Sequence, residues 1–189
     1  VDGLPARLTL RNVLTGEVTT HAYDKLVLSP GGVSVRPPLP GIDLPGIFHV
    51  RTVPDARHII EWIERGNPFL AGMYRYSGFQ AVRPKTRAVV IGGGFIGLEM
   101  VENLVHRGFD VTLVEILDQV MPPVDKEHAK VIESLLKRHG VRLALSDGVA
   151  GFRQAANDAI DVKTKSGKIC PAALVTPALA AIQDPQVLA

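Results

Sequence analysis

The chain is expected to fold as an α/β protein built on a mainly parallel sheet. Two observations predict this. Short apolar runs at 88–91, 111–114 and 141–145 alternate with helical stretches. A glycine-rich turn, Gly92-Gly93-Gly94, joins the first run to the helix that follows it.

The elements follow in order. Residues 7–14 and 17–23 read as two strands about Thr15-Gly16-Glu17, with Gly16 free to take positive φ. Lys25-Leu26-Val27-Leu28 reads as a buried strand stopped by Ser29-Pro30-Gly31-Gly32. Residues 30–46 carry five prolines and four glycines, which predicts an extended connector and a domain boundary. Thr52 then caps a helix, with Pro54 in its first turn, an apolar stripe of Ile59, Ile60 and Ile63, and Gly66 as its stop. Residues 67–86 show no clear period and read as loop.

From Arg87 the alternation sharpens. Strand 88–91 leads into turn and helix from Gly92 to Gly108, and 111–114 is a second buried strand. A helix over 124–139 presents Ile132, Leu135, Leu136 and His139 on one face and stops at Gly140. Strand 141–145 follows, then antiparallel strands at 149–155 and 159–165 about Asn157-Asp158, and a last strand at 172–176. Parallel strands need crossovers, and helices of this length supply them.

Composition narrows the function. Of 189 residues, 46% are hydrophobic and 21% charged, the profile of a water-soluble globular protein. No run of about 18 apolar residues is present, so no membrane span is expected. The chain opens on Val1 and a polar segment, without a signal peptide or an initiator methionine, which reads as processing or a cut. The net charge of +2, with no basic run, gives no reason to expect nucleic acid. Cys170 is the single cysteine, which excludes an intrachain disulfide and fits a reducing cytoplasm. The six histidines form no ligand pair at metal spacing, and no metal site is expected.

The sequence Gly92-Gly93-Gly94-Phe95-Ile96-Gly97 contains G-x-G-x-x-G. Its context fits a dinucleotide site: a buried strand before it, a helix after it, and an acid at the end of the next strand. Gly92 permits the sharp turn, Gly94 lets a pyrophosphate approach the backbone, and Gly97 lets helix and strand lie close. The N–H groups at the helix start then face the phosphates. Glu115 stands 21 residues beyond Gly94. A carboxylate there accepts hydrogen bonds from the adenosine ribose hydroxyls and repels a 2′-phosphate. Ile116, Leu117 and Asp118 supply no cation to offset that repulsion, so NAD(H) is expected over NADP(H). The fold expectation is a Rossmann-like parallel sheet with antiparallel strands attached, in three layers.

With these residues in place, the chain resembles the pyridine nucleotide-disulfide oxidoreductases. The match runs through Tyr23-Asp24-Lys25-Leu26-Val27-Leu28-Ser29-Pro30-Gly31, Gly46-Ile47-Phe48-His49-Val50-Arg51-Thr52 and the phosphate loop to about Gly148-Val149. Within the family, Leu28-Ser29-Pro30-Gly31 together with Gly97-Leu98-Glu99-Met100, Glu102-Asn103-Leu104 and Gln119-Val120-Met121 looks most like coenzyme A-disulfide reductases and NADH-dependent persulfide reductases.

The resemblance implies NADH reducing FAD, and FAD reducing a small-molecule disulfide or persulfide, coenzyme A-based ones included. It implies a homodimer for the full-length protein. It places Ser29, Pro30 and Gly31 at a turn near the FAD, Phe95 as a gate over the nicotinamide pocket, Glu99 close to the nicotinamide, and Val149 with a backbone group near the adenine. The candidate cofactor-binding residues are therefore Gly92, Gly94, Phe95, Ile96, Gly97, Glu99, Glu115, Val149, Ser29, Pro30 and Gly31. No catalytic residue is expected in this chain, because the family's reactive cysteine and first FAD-binding glycine motif lie upstream of the segments matched.

The resemblance divides the chain into a C-terminal piece of a split FAD domain with connector (1–45), an NAD(H)-binding domain (46–175) and a tail (176–189). It implies that this fragment alone is inactive. One departure stands out: Val175-Thr176-Pro177-Ala178-Leu179-Ala180 replaces the family's Gly-x-x-Pro-Asn-like run, which puts the back edge of the site in question. Two rival readings are an NADH oxidase or ferredoxin-type reductase branch of the same fold, and a nucleotide-binding module without redox chemistry.

Overall fold

A computed structural model describes residues 6–29, 31–66, 86–155, 159–179 and 181–183. These fall into two compact units, one containing the N-terminal hairpin and the other running from Val33 to Ile182.

In the first unit, strands β1 (Ala6–Arg11) and β2 (Val18–Tyr23) pair antiparallel, Ala6 opposite Tyr23 and Arg11 opposite Val18. Gly16 turns the chain at φ 76°. The strand expected at 25–28 is absent. Leu26, Val27 and Leu28 are 39%, 88% and 56% exposed in irregular chain. An apolar run becomes a buried strand only beside neighbours that take its backbone hydrogen bonds, and among the described residues none is paired with this one.

The second unit holds the core. A four-stranded sheet has the order β10-β4-β5-β6, with β4 at Arg87–Ile91, β5 at Asp110–Val114, β6 at Arg142–Ala144 and β10 at Leu174–Pro177. All its pairings are parallel. Period-two alternation sends successive side chains of β4 to opposite faces. Ala88 and Val90 join Val101, Leu104, Val111 and Leu113 on the side of helix α2 (Phe95–His106). Val89 and Ile91 join Val149, Phe152, Ile160 and Val162 on the other side.

That other side is a three-stranded antiparallel sheet, β7 (Val149–Gln154), β8 (Ile160–Thr164) and β9 (Ile169–Ala172). The expected three layers are therefore present: helices, parallel sheet, antiparallel sheet. The strand expected at 172–176 is the junction of two, β9 and β10. A two-stranded ribbon pairs β3 (Gly32–Ser34) with β11 (Ala181–Gln183).

Helix α1 (Val53–Glu61) begins as its sequence dictates. Thr52 Oγ1 accepts the Asp55 N–H at 3.4 Å, and the Asp55 carboxylate accepts the Thr52 N–H at 2.7 Å, which closes a capping box. Ile59 and Ile63 are buried, whereas Ile60 is 37% exposed. A π-helical turn, Trp62–Gly66, continues the helix, and Trp62 Nε1 donates to the Ala173 carbonyl at 3.1 Å. Residues 67–85 of the expected loop, and Asn157-Asp158, lie outside the described residues. Helix α3 (Lys126–Arg138) ends at Gly140 with φ 81°.

The two compact units part after Gly32, within the proline-rich stretch 30–46 that the sequence predicts as connector and boundary. The reason is local packing. The Pro40 carbonyl accepts the Phe152 N–H at 2.7 Å, which ties the proline-rich connector to β7. Thr176 and Pro177, the first residues of the expected tail, are the buried end of β10.

Candidate functional site

The site lies at the C-terminal ends of β4, β5 and β10, where an open parallel sheet leaves a crevice. The Gly92 N–H donates to the Val114 carbonyl at 2.8 Å, and the chain then turns at Gly92 with φ 102°. A side chain is strained in that conformation, and a Cβ would also meet the Ala178 carbonyl oxygen at 2.9 Å. A Cβ on Gly97 would collide with the Gly92 carbonyl oxygen. Gly94 differs: φ is −80° and nothing lies within 4 Å of a Cβ built there. The fold itself thus places nothing against this face of Gly94, which is open to an approaching group.

Gly94 is also the N-cap of α2 and makes no side-chain capping bond. The helix start therefore presents N–H groups and the positive dipole end without a side-chain acceptor, the arrangement that receives phosphate. Phe95 and Ile96, in the first turn, are 67% and 43% exposed, so Phe95 is no part of the core. Glu99 is exposed one turn on, and its carbonyl accepts from Asn103 Nδ2 at 2.8 Å.

Glu115 is 6% exposed and tied to the loop. Its Oε2 accepts the Gly93 N–H at 2.5 Å and its Oε1 accepts the Leu117 N–H at 2.8 Å. From sequence this carboxylate is expected to serve a ribose alone. In the structure it first clasps the phosphate loop to the end of β5. Each oxygen keeps a second lone pair, so one acceptor direction per oxygen remains for a ligand hydroxyl.

Beside the loop is a cleft of about 270 Å³ whose walls include Gly92, Glu115, Ile116, Asp147, Gly148, Val149 and Lys165. Val149, expected near the adenine, is one of the residues lining this cleft. Asp147, Gly148 and Lys165 were not singled out from sequence. Asp147 accepts from Ser166 twice, Oδ1 from the backbone N–H at 3.1 Å and Oδ2 from the hydroxyl at 2.6 Å. The Ser166 hydroxyl holds the Asp147 carboxyl below its ordinary value. Asp147-Gly148 is the one sequence signal available here, a turn-forming pair just before a strand.

Ser29 is exposed and Gly31 has φ 77°; both belong to the first unit, and Pro30 lies outside the described residues. Cys170 is part-buried in β9, and burial pushes its thiol up, away from the reactive thiolate.

Fold and loop together define a dinucleotide-binding α/β unit. The family model described as pyridine nucleotide-disulphide oxidoreductase matches residues 2–184, and the chain belongs to that family. It is 36% identical over 146 residues to an NADH oxidase of Enterococcus faecalis, covering 77% of this chain and 28% of that protein. Among solved structures, reduced CoADR-RHD of Bacillus anthracis superposes with a TM-score of 0.75 at 39% identity, covering 93% of this chain and 28% of that one. An NAD-dependent persulfide reductase of A. fulgidus gives 0.75 at 30% identity, covering 93% and 29%. The chain therefore spans under a third of the length of each of these relatives.

Proposed function

We propose that this chain is the NAD(H)-binding part of an FAD-dependent oxidoreductase that passes hydride from NADH to FAD and on to a disulfide or persulfide. The observation that carries the reading is the open Cα face of Gly94 at an uncapped helix start, beside a loop whose shape Gly92, Gly97 and Glu115 enforce. That geometry suits a pyrophosphate. The spare lone pairs of Glu115 suit ribose hydroxyls, and its negative charge favours NADH over NADPH.

Bound FAD would supply the two-electron step between nicotinamide and acceptor. The residues of this chain do the holding. Backbone N–H groups at 94–97 receive the pyrophosphate, Val149 and Gly148 border the adenine, and Phe95 and Glu99 flank the nicotinamide end. Residues up to Gly32, Ser29-Pro30-Gly31 among them, are assigned to the FAD-binding part, and Val33–Ile182 to the NAD(H)-binding part. The exposure of Leu10, Val18, Val27 and Leu28 fits a hairpin and segment whose covering strands come from elsewhere in a longer protein. A lone cysteine fits the cytoplasm, and a homodimer is expected of the full-length protein.

The test has two stages. This chain alone should bind NADH in a titration followed by Trp62 fluorescence, without turnover. The longer protein should show NADH-dependent bleaching of the flavin without oxygen, and reoxidation by oxidised coenzyme A. Reoxidation by oxygen to water or peroxide, with no response to the disulfide, would favour the oxidase branch, which the likeness to an NADH oxidase supports. Failure to bind NADH would refute the reading.

A further inference from the structure

The cleft beside the phosphate loop carries three charged side chains, Glu115, Asp147 and Lys165. The two carboxylates are buried, and every one of their oxygens already accepts from a donor: Gly93 and Leu117 for Glu115, Ser166 for Asp147. Asp118, three residues beyond Glu115, is paired with Lys126 at 2.6 Å. Lys165 is different. Its N–H donates to the Gly148 carbonyl at 2.7 Å, which pins its main chain against the cleft wall. Its Cδ and Cε lie 3.3 Å from where a Cβ on Gly148 would sit, as does Ile116 Cδ1. The stem thus runs along the wall next to Ile116, directly after the acid. Among the described residues the Lys165 ammonium makes no hydrogen bond or ion pair.

We propose that Lys165 reads the adenosine end of the nucleotide and lets this site take NADPH as well as NADH. The proposal rests on the dinucleotide reading above. A 2′-phosphate beside Glu115 needs a cation, and residues 116–119 supply none. The turn after β8 supplies one from a distant part of the chain. A flexible ammonium suits this task, since it acts as a point charge that follows its partner and needs no fixed fork geometry. When NADH is bound, the same ammonium faces water and contributes little.

The experiment titrates this chain, and its Lys165→Gln and Lys165→Arg variants, with NADH and with NADPH at two salt concentrations. Lys165 is exposed, so both variants should keep the Trp62 emission of the parent. The parent should bind both nucleotides, NADH the tighter. Lys165→Gln should weaken NADPH by about tenfold or more, the scale of one charge-assisted contact, and NADH by less than about threefold. Lys165→Arg should restore NADPH, and the NADPH affinity of the parent should fall more steeply with salt. Equal weakening of both nucleotides would make Lys165 only a wall and overturn the proposal. So would an NADPH affinity indifferent to the substitution. Absence of NADH binding in the parent would instead refute the dinucleotide reading itself, and this proposal with it.

Discussion

Glu115→Gln tests the clasp between the phosphate loop and the end of β5. The carboxylate accepts one backbone N–H on each oxygen, at 2.5 Å from Gly93 and 2.8 Å from Leu117. A glutamine is nearly the same size but has one carbonyl oxygen, so it accepts one of these bonds and turns its own N–H₂ toward the other donor. One charge-assisted bond is then lost and another becomes neutral, with a buried donor left unmatched. Charged hydrogen bonds contribute about 1.5–3 kcal/mol each, and the expected loss of folding stability is about 2–4 kcal/mol. Urea unfolding of the nucleotide-free chain, followed at Trp62, measures it. NADH affinity should fall as well, since the loop proposed to receive the pyrophosphate is no longer held. A stability change below about 0.5 kcal/mol, the ordinary scatter of surface substitutions, would refute the clasp.

Gly94→Ser should separate folding from binding. The serine hydroxyl caps α2 and raises stability by a few tenths of a kcal/mol, yet it occupies the open Cα face and should weaken NADH by about tenfold or more in the same titration. His49 has both ring nitrogens buried without a hydrogen-bond partner among the described residues. Burial, with the Arg36 charge, holds its imidazole below the ordinary value. The unfolded chain then binds the extra proton first, so His49 subtracts stability as pH falls below about 6.5. His49→Phe should flatten that part of the pH–stability curve between pH 7.5 and 5.5, and an unchanged slope would count against the burial argument. Thr52→Ala removes half the capping box of α1 and should lower the unfolding free energy by about 1 kcal/mol, read by the same urea curve.

Much of the fold was legible because its signals are local. Thr52, Pro54 and Asp55 start a helix by rules that span one turn. Gly92 and Gly97 announce a strand–turn–helix by sterics alone. The alternation in β4 separates two cores within five residues. What escaped depends on distant partners. The run 25–28 looked like a strand, but strand formation is a property of the neighbours and not of the segment. The prolines of the connector announce an extended chain, but nothing local announces that its carbonyl at Pro40 bonds to Phe152, over a hundred positions later. The clasp at Glu115 needs the N–H of Gly93 to point at it, and the entry of Lys165 needs β8 to fold back along β7. No periodicity in the chain records either fact.

Gly92 and Ala178 meet in a seam at the back of the phosphate loop. The Ala178 N–H donates to the Ile91 carbonyl at 2.8 Å, and its own carbonyl oxygen occupies the space a Cβ on residue 92 would need. Both contacts are made by main chain. The loop therefore senses where the strand after β9 emerges and is indifferent to most of the letters that spell it. A substitution at 178 that leaves the backbone on its course keeps this seam, whereas a side chain at position 92 meets both a strained φ and the Ala178 carbonyl. The floor of the loop is thus set by main chain, and a change of side chain at 178 reaches it only by moving that main chain.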